Sequence, residues 1–503
     1  MTASDPQAIQ FVLISHTNNG KTTLARTLTG IDVGEVRDAA HVTVLSESHT
    51  LLATPEGDVL TLWDTPGFGD SVRLLRRLGM SGNPIGWFLR EVFDRYRDRA
   101  FWLSQNALRS ARDSADVVLY LVNSTEDPRD AGYIAPEMKI LEWLGKPVLV
   151  LLNQLGPPQP AEIERAELDR WRQHLSRYPL VKSVLALDAF ARCWVHERVF
   201  YEAVTPLLEA HKQDAYRRLL RQWESNNERR FSESMRVLAA HLAAAALDSE
   251  DVGTEPRSLV KSALNAVGLG RRDDRSADKA MASMIARHNA NVAATTRELL
   301  SLHKLDTREV ARINERVRDN FAVRAPVDKA QAGLLGAVVS GAATGLGADL
   351  MAGGLTMGAG ALIGGVMGAL TMAGAAWAFN TGTDRNHPTV RFADDFLQGL
   401  LISSVLRYLA VAHFGRGRGD FVEGEAPAFW KEEVERSVGE YTGDGVALWR
   451  MVRSNPARED VLAQLEGIMS KTTRSTLAHL YPGSDCPPAA PSTVPIFDGK
   501  LSM

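Results

Sequence analysis

Residues 11–28, FVLISHTNNGKTTLARTL, constrain the fold more than any other stretch of the chain. Phe11 to Ile14 form an apolar run of strand type, SHTNNG is a polar loop, and Lys21 to Leu28 has apolar residues at helical spacing. A strand that turns through such a loop straight into a helix brings the helix's first N–H groups to the loop, where they can hold an anion. The spacing matches the phosphate cradle G-x-x-x-x-G-K-S/T, with Ser15 at the first glycine position and Gly20, Lys21, Thr22 and Thr23 completing it. In that pattern backbone amides wrap phosphates, the lysine neutralises their oxygens and the hydroxyl of Thr22 reaches Mg²⁺.

A second motif follows in the order such a site requires. WDTPG, residues 63–67, ends an alternating strand, so Asp64 is placed to meet Mg²⁺ through water and Gly67 to offer its N–H to a γ-phosphate. With both motifs in hand, residues 8–200 or so resemble the P-loop GTPases, specifically the bacterial Era-like (TRAFAC) branch. The resemblance implies a GTP- and GDP-binding hydrolase that uses Mg²⁺. Carried over by position, Asn18, Asn19, Gly20, Lys21, Thr22 and Thr23 form the phosphate loop, and Thr22 and Asp64 hold Mg²⁺. Gly67 belongs to switch II, and Thr43 in EVRDAAHVTV is the switch I threonine, a further metal and catalytic position. Lys21, Thr43 and Gly67 are the implied catalytic set.

Two departures shape the expected chemistry. Phe68 follows Gly67 where Ras-type enzymes carry the glutamine that orients water, so water must be placed otherwise. Asn18 stands at the position of the loop asparagine that, in potassium-dependent relatives, helps hold K⁺ beside the phosphates; the resemblance thus implies K⁺ stimulation, and the alternative is that Asn18 only favours the loop's backbone shape. Guanine recognition in the family comes from N-K-x-D, and this chain has Asn153, Gln154, Leu155 and Gly156 there. Losing the acidic acceptor removes on the order of 1.5 to 3 kcal/mol of discrimination. Asp188, where the last base-contacting loop falls, is the candidate substitute, and GTP remains the expected nucleotide.

Strand-length apolar runs recur through the first 190 residues: FVLI, HTLLAT and VLTLW around a PEGD turn, VVLYLV, VLVLLN and VKSVLAL. Helical segments such as Ala135 to Leu144 and Ala161 to Ser176 lie between the later ones. The expected fold is an α/β N-terminal domain, mainly a parallel sheet with one antiparallel hairpin, followed by a mostly helical C-terminal region. The expected divisions are a GTPase domain over 1–205, a helical domain over 206–329, a Gly/Ala-rich apolar hairpin over 330–383, a helical region over 384–482 and a flexible tail over 483–503. An aromatic stripe within 73–114, including Phe101 and Trp102, reads as core or as a nucleotide-dependent docking surface.

Asp349 is the sole charge in 330–383, and its apolar arms are long enough to cross a ~30 Å hydrocarbon layer, so inner-membrane contact is one expectation and a soluble helical hairpin the other. The two cysteines, Cys193 and Cys486, and a start without basic or apolar character point to the cytoplasm. Cys193 and His196 have metal-like spacing without a second pair and read as structural. A net charge of −4 gives no general attraction to polyanions, so nucleic acid is not among the expected partners. Expected partners are therefore nucleotide, a protein effector and, for a switch of this kind, a nucleotide-dependent second copy. Two other classes stay open: a membrane-associated scaffold with negligible turnover, and an RNA- or ribosome-related factor, on family analogy alone.

Overall fold

A computed structural model of the chain describes residues 6–29, 47–68, 70–79, 99–153, 161–187, 193–251, 275–305, 377–380, 389–413, 428–454 and 457–481. Thr43, Gln154 and Asp188 lie outside these residues, as do all of 330–376 and most of the stripe's aromatic residues. Among the described residues, those up to Arg229 together with Ala412, His413 and Tyr481 form one compact unit; those from Arg230 to Val411 and from Ala428 to Leu480 form another.

The first unit is built on a sheet of six strands: β1 (Ala8–Ser15), β2 (Glu47–Ala53), β3 (Val59–Asp64), β4 (Val117–Asn123), β5 (Val148–Asn153) and β6 (Val181–Ala186). Their spatial order is β2-β3-β1-β4-β5-β6. Every pairing is parallel except that of β2 with β3, a hairpin whose turn uses Gly57 at φ 97°. The central strands β4 and β5 are buried on both faces, which is why they read as continuous apolar runs instead of alternating ones.

Helices of this unit are α1 (Lys21–Thr29), α2 (Ser71–Gly79), α3 (Arg99–Ser114), α4 (Ile134–Leu144), α5 (Ala161–Leu175) and α6 (Trp194–Val204). One apolar core joins Val12, Ile14, Tyr120 and Val150 of the strands to Phe101 and Leu108 of α3, Met138 and Leu141 of α4, and Trp171 of α5. Phe101 thus takes the core role. Register places Leu13 beside Asp64 and Asn123 beside Asn153, so the carboxyl ends of β1, β3, β4 and β5 form one edge. In parallel sheets of this kind that edge is where ligands bind.

A long helix, α7 (Ala210–Leu247), starts in the first unit. Lys212 binds Asp116 at 2.7 Å, and Arg218 grips Asp58 with two bonds of 2.7 and 2.9 Å. Burial opposes ionisation of Asp58, but the Arg218 guanidinium and the Gln7 N–H prevail and hold its carboxyl below the usual range.

The second unit contains the remainder of α7 with α8 (Arg275–Leu302), α9 (Asp394–Ala412), α10 (Ala428–Thr442), α11 (Val446–Ser454) and α12 (Arg458–Leu480). Every residue of α9 from Ser403 to Val411 is buried, so this stretch of the helix is enclosed on all sides. That helix is the one described segment long and apolar enough to cross a membrane, and 72% of its apolar window is buried inside the protein. Three short strands, β7 (Ser249–Asp251), β8 (Trp377–Asn380) and β9 (Thr389–Phe392), form an antiparallel sheet in the order β7-β9-β8 within this helical region. The sequence gives no sign of them, because β7 is three polar residues and its partner lies far along the chain.

Candidate functional site

At the end of β1 the chain leaves the sheet through Ser15 and enters α1 at Lys21. The turn depends on two residues with positive φ, Asn18 at 68° and Gly20 at 81°. Glycine adopts that conformation without cost, and asparagine is among the few others that tolerate it. Gly20 also supplies the carbonyl that accepts the first helical bond, from Leu24 N at 2.9 Å. Asn19 is buried: its amide donates to Leu121 O at 3.3 Å, and its own carbonyl accepts from the Asn153 amide at 2.9 Å. Asn153, expected at the base, thus also ties the end of β5 to the loop's backbone.

The functional groups converge from β1, α1 and β3. Lys21 is 8% exposed, and its ammonium donates to the Ser15 hydroxyl at 3.1 Å. Burial lowers its pKa, while the charges of Asp64 and Glu137 act the other way. Thr22 Oγ1 donates to Asp64 Oδ2 at 2.9 Å, bringing together two hard oxygen ligands of the kind Mg²⁺ takes. Thr23 is buried behind them. The donor set, two oxygens beside a lysine in a loop of backbone amides, fits a magnesium–phosphate group.

The segment after Asp64 is stitched to the loop. Thr65 Oγ1 donates to Leu13 O at 2.7 Å, and Phe68 N donates to Ser15 O at 3.0 Å. Phe68 O accepts from both the Thr17 hydroxyl at 2.8 Å and the Thr17 N–H at 3.3 Å. These bonds lay Gly67 directly over the lysine: a Cβ there would stand 2.9 Å from Lys21 Nζ and 3.1 Å from Thr17 Cα. Phe68 is 1% exposed and packs into the core, so its side chain does not face the cradle.

Sequence reasoning missed a buried polar cluster beside the loop. Glu137 on α4 accepts hydrogen bonds from Ser71 and Tyr120 and pairs with His16 Nδ1 at 2.8 Å. The available signal was a carboxylate amid the apolar positions of IAPEMKILEWL. No group of three or more metal-binding side chains occurs among the described residues, and Cys193 is a buried thiol preceding α6.

A family model described as a domain of unknown function (DUF3482) matches residues 172–477, and one described as 50S ribosome-binding GTPase matches residues 10–154. The chain belongs to the DUF3482 family. This DUF3482 protein carries an N-terminal P-loop GTPase domain of the Era-like kind, a nucleotide-binding module whose relatives generally use Mg²⁺. No curated protein matches the chain. Among solved structures it is similar to Era in complex with MgGDPNP and nucleotides 1506-1542 of 16S ribosomal RNA, at 20% identity, 36% of this chain, 51% of that chain and a TM-score of 0.27. It is also similar to an Aquifex aeolicus Era variant bound to GDP and aluminium fluoride, at 20% identity, 40% and 57% coverage and a TM-score of 0.29. A third likeness is to the bacterial selenocysteine-specific elongation factor, at 16% identity, 42% and 29% coverage and a TM-score of 0.23. The DUF3482 chain thus spans about half the length of the Era structures it matches.

Proposed function

We propose that this protein is a molecular switch that binds and hydrolyses GTP with Mg²⁺ and passes its nucleotide state to the helical second unit. The observation that carries the reading is the meeting of Thr22 and Asp64 at 2.9 Å beside a buried Lys21 capped by Gly67. In this reading the loop amides and the Lys21 ammonium bind and orient the β and γ phosphates. Thr22 and Asp64 hold Mg²⁺, which when bound neutralises charge on the phosphate oxygens. Gly67 presents its N–H next to the lysine, and its packing there supports a role in registering the γ-phosphate. In this reading α7, whose start is held at Asp58 and Asp116 within the first unit, is the segment that leads from the GTPase domain into the rest of the chain.

Nucleotide titration tests this directly. Lys21→Ala is expected to weaken GTP and GDP binding by at least about a hundredfold, from loss of the charge-assisted contacts. Unchanged affinity overturns the reading. Competition by GTP and ATP for labelled GTP decides the base, since the acidic residue of the guanine motif is replaced by Gly156. Turnover is expected to be faster in KCl than in NaCl if Asn18 contributes to a K⁺ site; equal rates assign Asn18 to backbone shape alone, a role its φ of 68° already supports.

A second reading, a nucleotide-binding scaffold with negligible turnover, draws on Phe68, whose core packing leaves position 68 without a group to orient water. Phosphate release followed over hours separates the two.

A further inference from the structure

Glu137 has no exposed surface, yet it stands beside the phosphate loop and has no role in the scheme above. Enclosing a carboxylate is costly unless strong hydrogen bonds replace its hydration. Three contacts do so: the Ser71 hydroxyl donates to Oε1 at 2.7 Å, the Tyr120 hydroxyl donates to Oε2 at 2.6 Å, and His16 Nδ1 lies 2.8 Å from Oε1. The Lys21 ammonium is attracted to the same carboxylate.

The origin of these partners separates the cluster from an ordinary buried polar network. His16 is the loop residue between Ser15, which accepts from Lys21, and Thr17, which donates twice to Phe68. Tyr133 stacks on the His16 ring at 4.3 Å and donates its hydroxyl to Glu126 at 2.7 Å, which fixes the imidazole's orientation. Ser71 is the first residue of α2 and follows Gly67 by four positions. A single oxygen, Oε1, serves both the phosphate loop and the start of α2.

We propose that Glu137 is a positioning residue of the switch: by holding His16 and Ser71 on one carboxylate oxygen, it makes movement at Gly67 carry α2 along. The inference deepens the GTPase reading and rests on it. Without the tether, α2 would not report which nucleotide is bound.

Amide hydrogen exchange of residues 71–79 in the full-length protein, with Mg·GDP and with Mg·GDPNP, tests the proposal. Exchange in the wild type is expected to differ at least about threefold between the two nucleotides. Ser71→Ala and Glu137→Gln are expected to abolish that difference, and in Ser71→Ala GDP affinity is expected to stay within about threefold; Ser71→Thr, which keeps the hydroxyl, is expected to restore the difference. Ser71→Ala removes one donor and no charge, so it decides the matter if Glu137→Gln does not fold. A wild-type difference that survives in Ser71→Ala, or exchange that is the same with both nucleotides in a wild type that binds them, overturns this inference alone. A wild type that binds neither nucleotide overturns the phosphate-site reading, and the inference with it.

Discussion

At Gly67 a Cβ would stand 2.9 Å from the Lys21 ammonium and 3.1 Å from Thr17 Cα, closer than side chains ordinarily pack. Gly67→Ala must push either the lysine ammonium or the Thr17 backbone aside, and overpacking of this sort typically costs about 1–3 kcal/mol. Part of that cost falls on the site itself, so GTP affinity is expected to drop about tenfold or more while the protein still folds, as titration calorimetry alongside thermal melting would show. Asn18 offers a cleaner separation of roles. Asn18→Gly keeps the positive φ available, whereas Asn18→Ala opposes it by roughly 1 kcal/mol. If Asn18 serves K⁺, both variants lose K⁺ stimulation; if it only shapes the loop, the glycine variant binds and turns over nucleotide like the wild type.

Among the elements, the β2–β3 hairpin and α7 are bound through a carboxylate that has no exposed side-chain surface: Asp58 accepts two bonds from Arg218, one from Gln7 N and one from the Thr54 hydroxyl. Arg218→Met leaves that charge without its cation and is expected to lower the melting temperature clearly, whereas adding Asp58→Asn recovers part of the loss. A double-mutant cycle measured by thermal melting checks this. These elements also show what a sequence exposes. Strands β4 and β5 were legible because strands buried on both faces are local runs of apolar residues, and the phosphate loop because its chemistry occupies eight consecutive positions. The Glu137 cluster was not, since its partners lie 121, 66 and 17 residues away along the chain. Nor was the sheet β7-β9-β8, whose pairing of Ser249 with Arg391 has no local pattern to announce it.

For the molecule as a whole, the buried histidines predict how stability responds to acid. Burial, with Arg407 second, pushes His288 down to about 4; burial, with Arg230 second, pushes His303 down to about 3. The unfolded chain protonates its histidines near 6.5, so below that pH it binds more protons than the folded chain does. Their contribution is complete above about pH 6.5 and declines as pH falls toward about 4, with a slope near 1.4 kcal/mol per pH unit for each group. Denaturant melts across that window are expected to show a shallower decline in His288→Phe than in wild type; equal slopes would remove His288 from the account. The proposal that residues 330–383 touch the inner membrane is tested separately, by whether the protein stays with carbonate-washed membranes and leaves with detergent. Finally, Ser15 brings a hydroxyl to a position where the usual cradle motif has only a glycine. A lysine head group has three protons to give, and Ser15 takes one of them. A departing phosphate would therefore leave behind a cation that still has a partner, and the loop could be emptied and refilled without first being rebuilt.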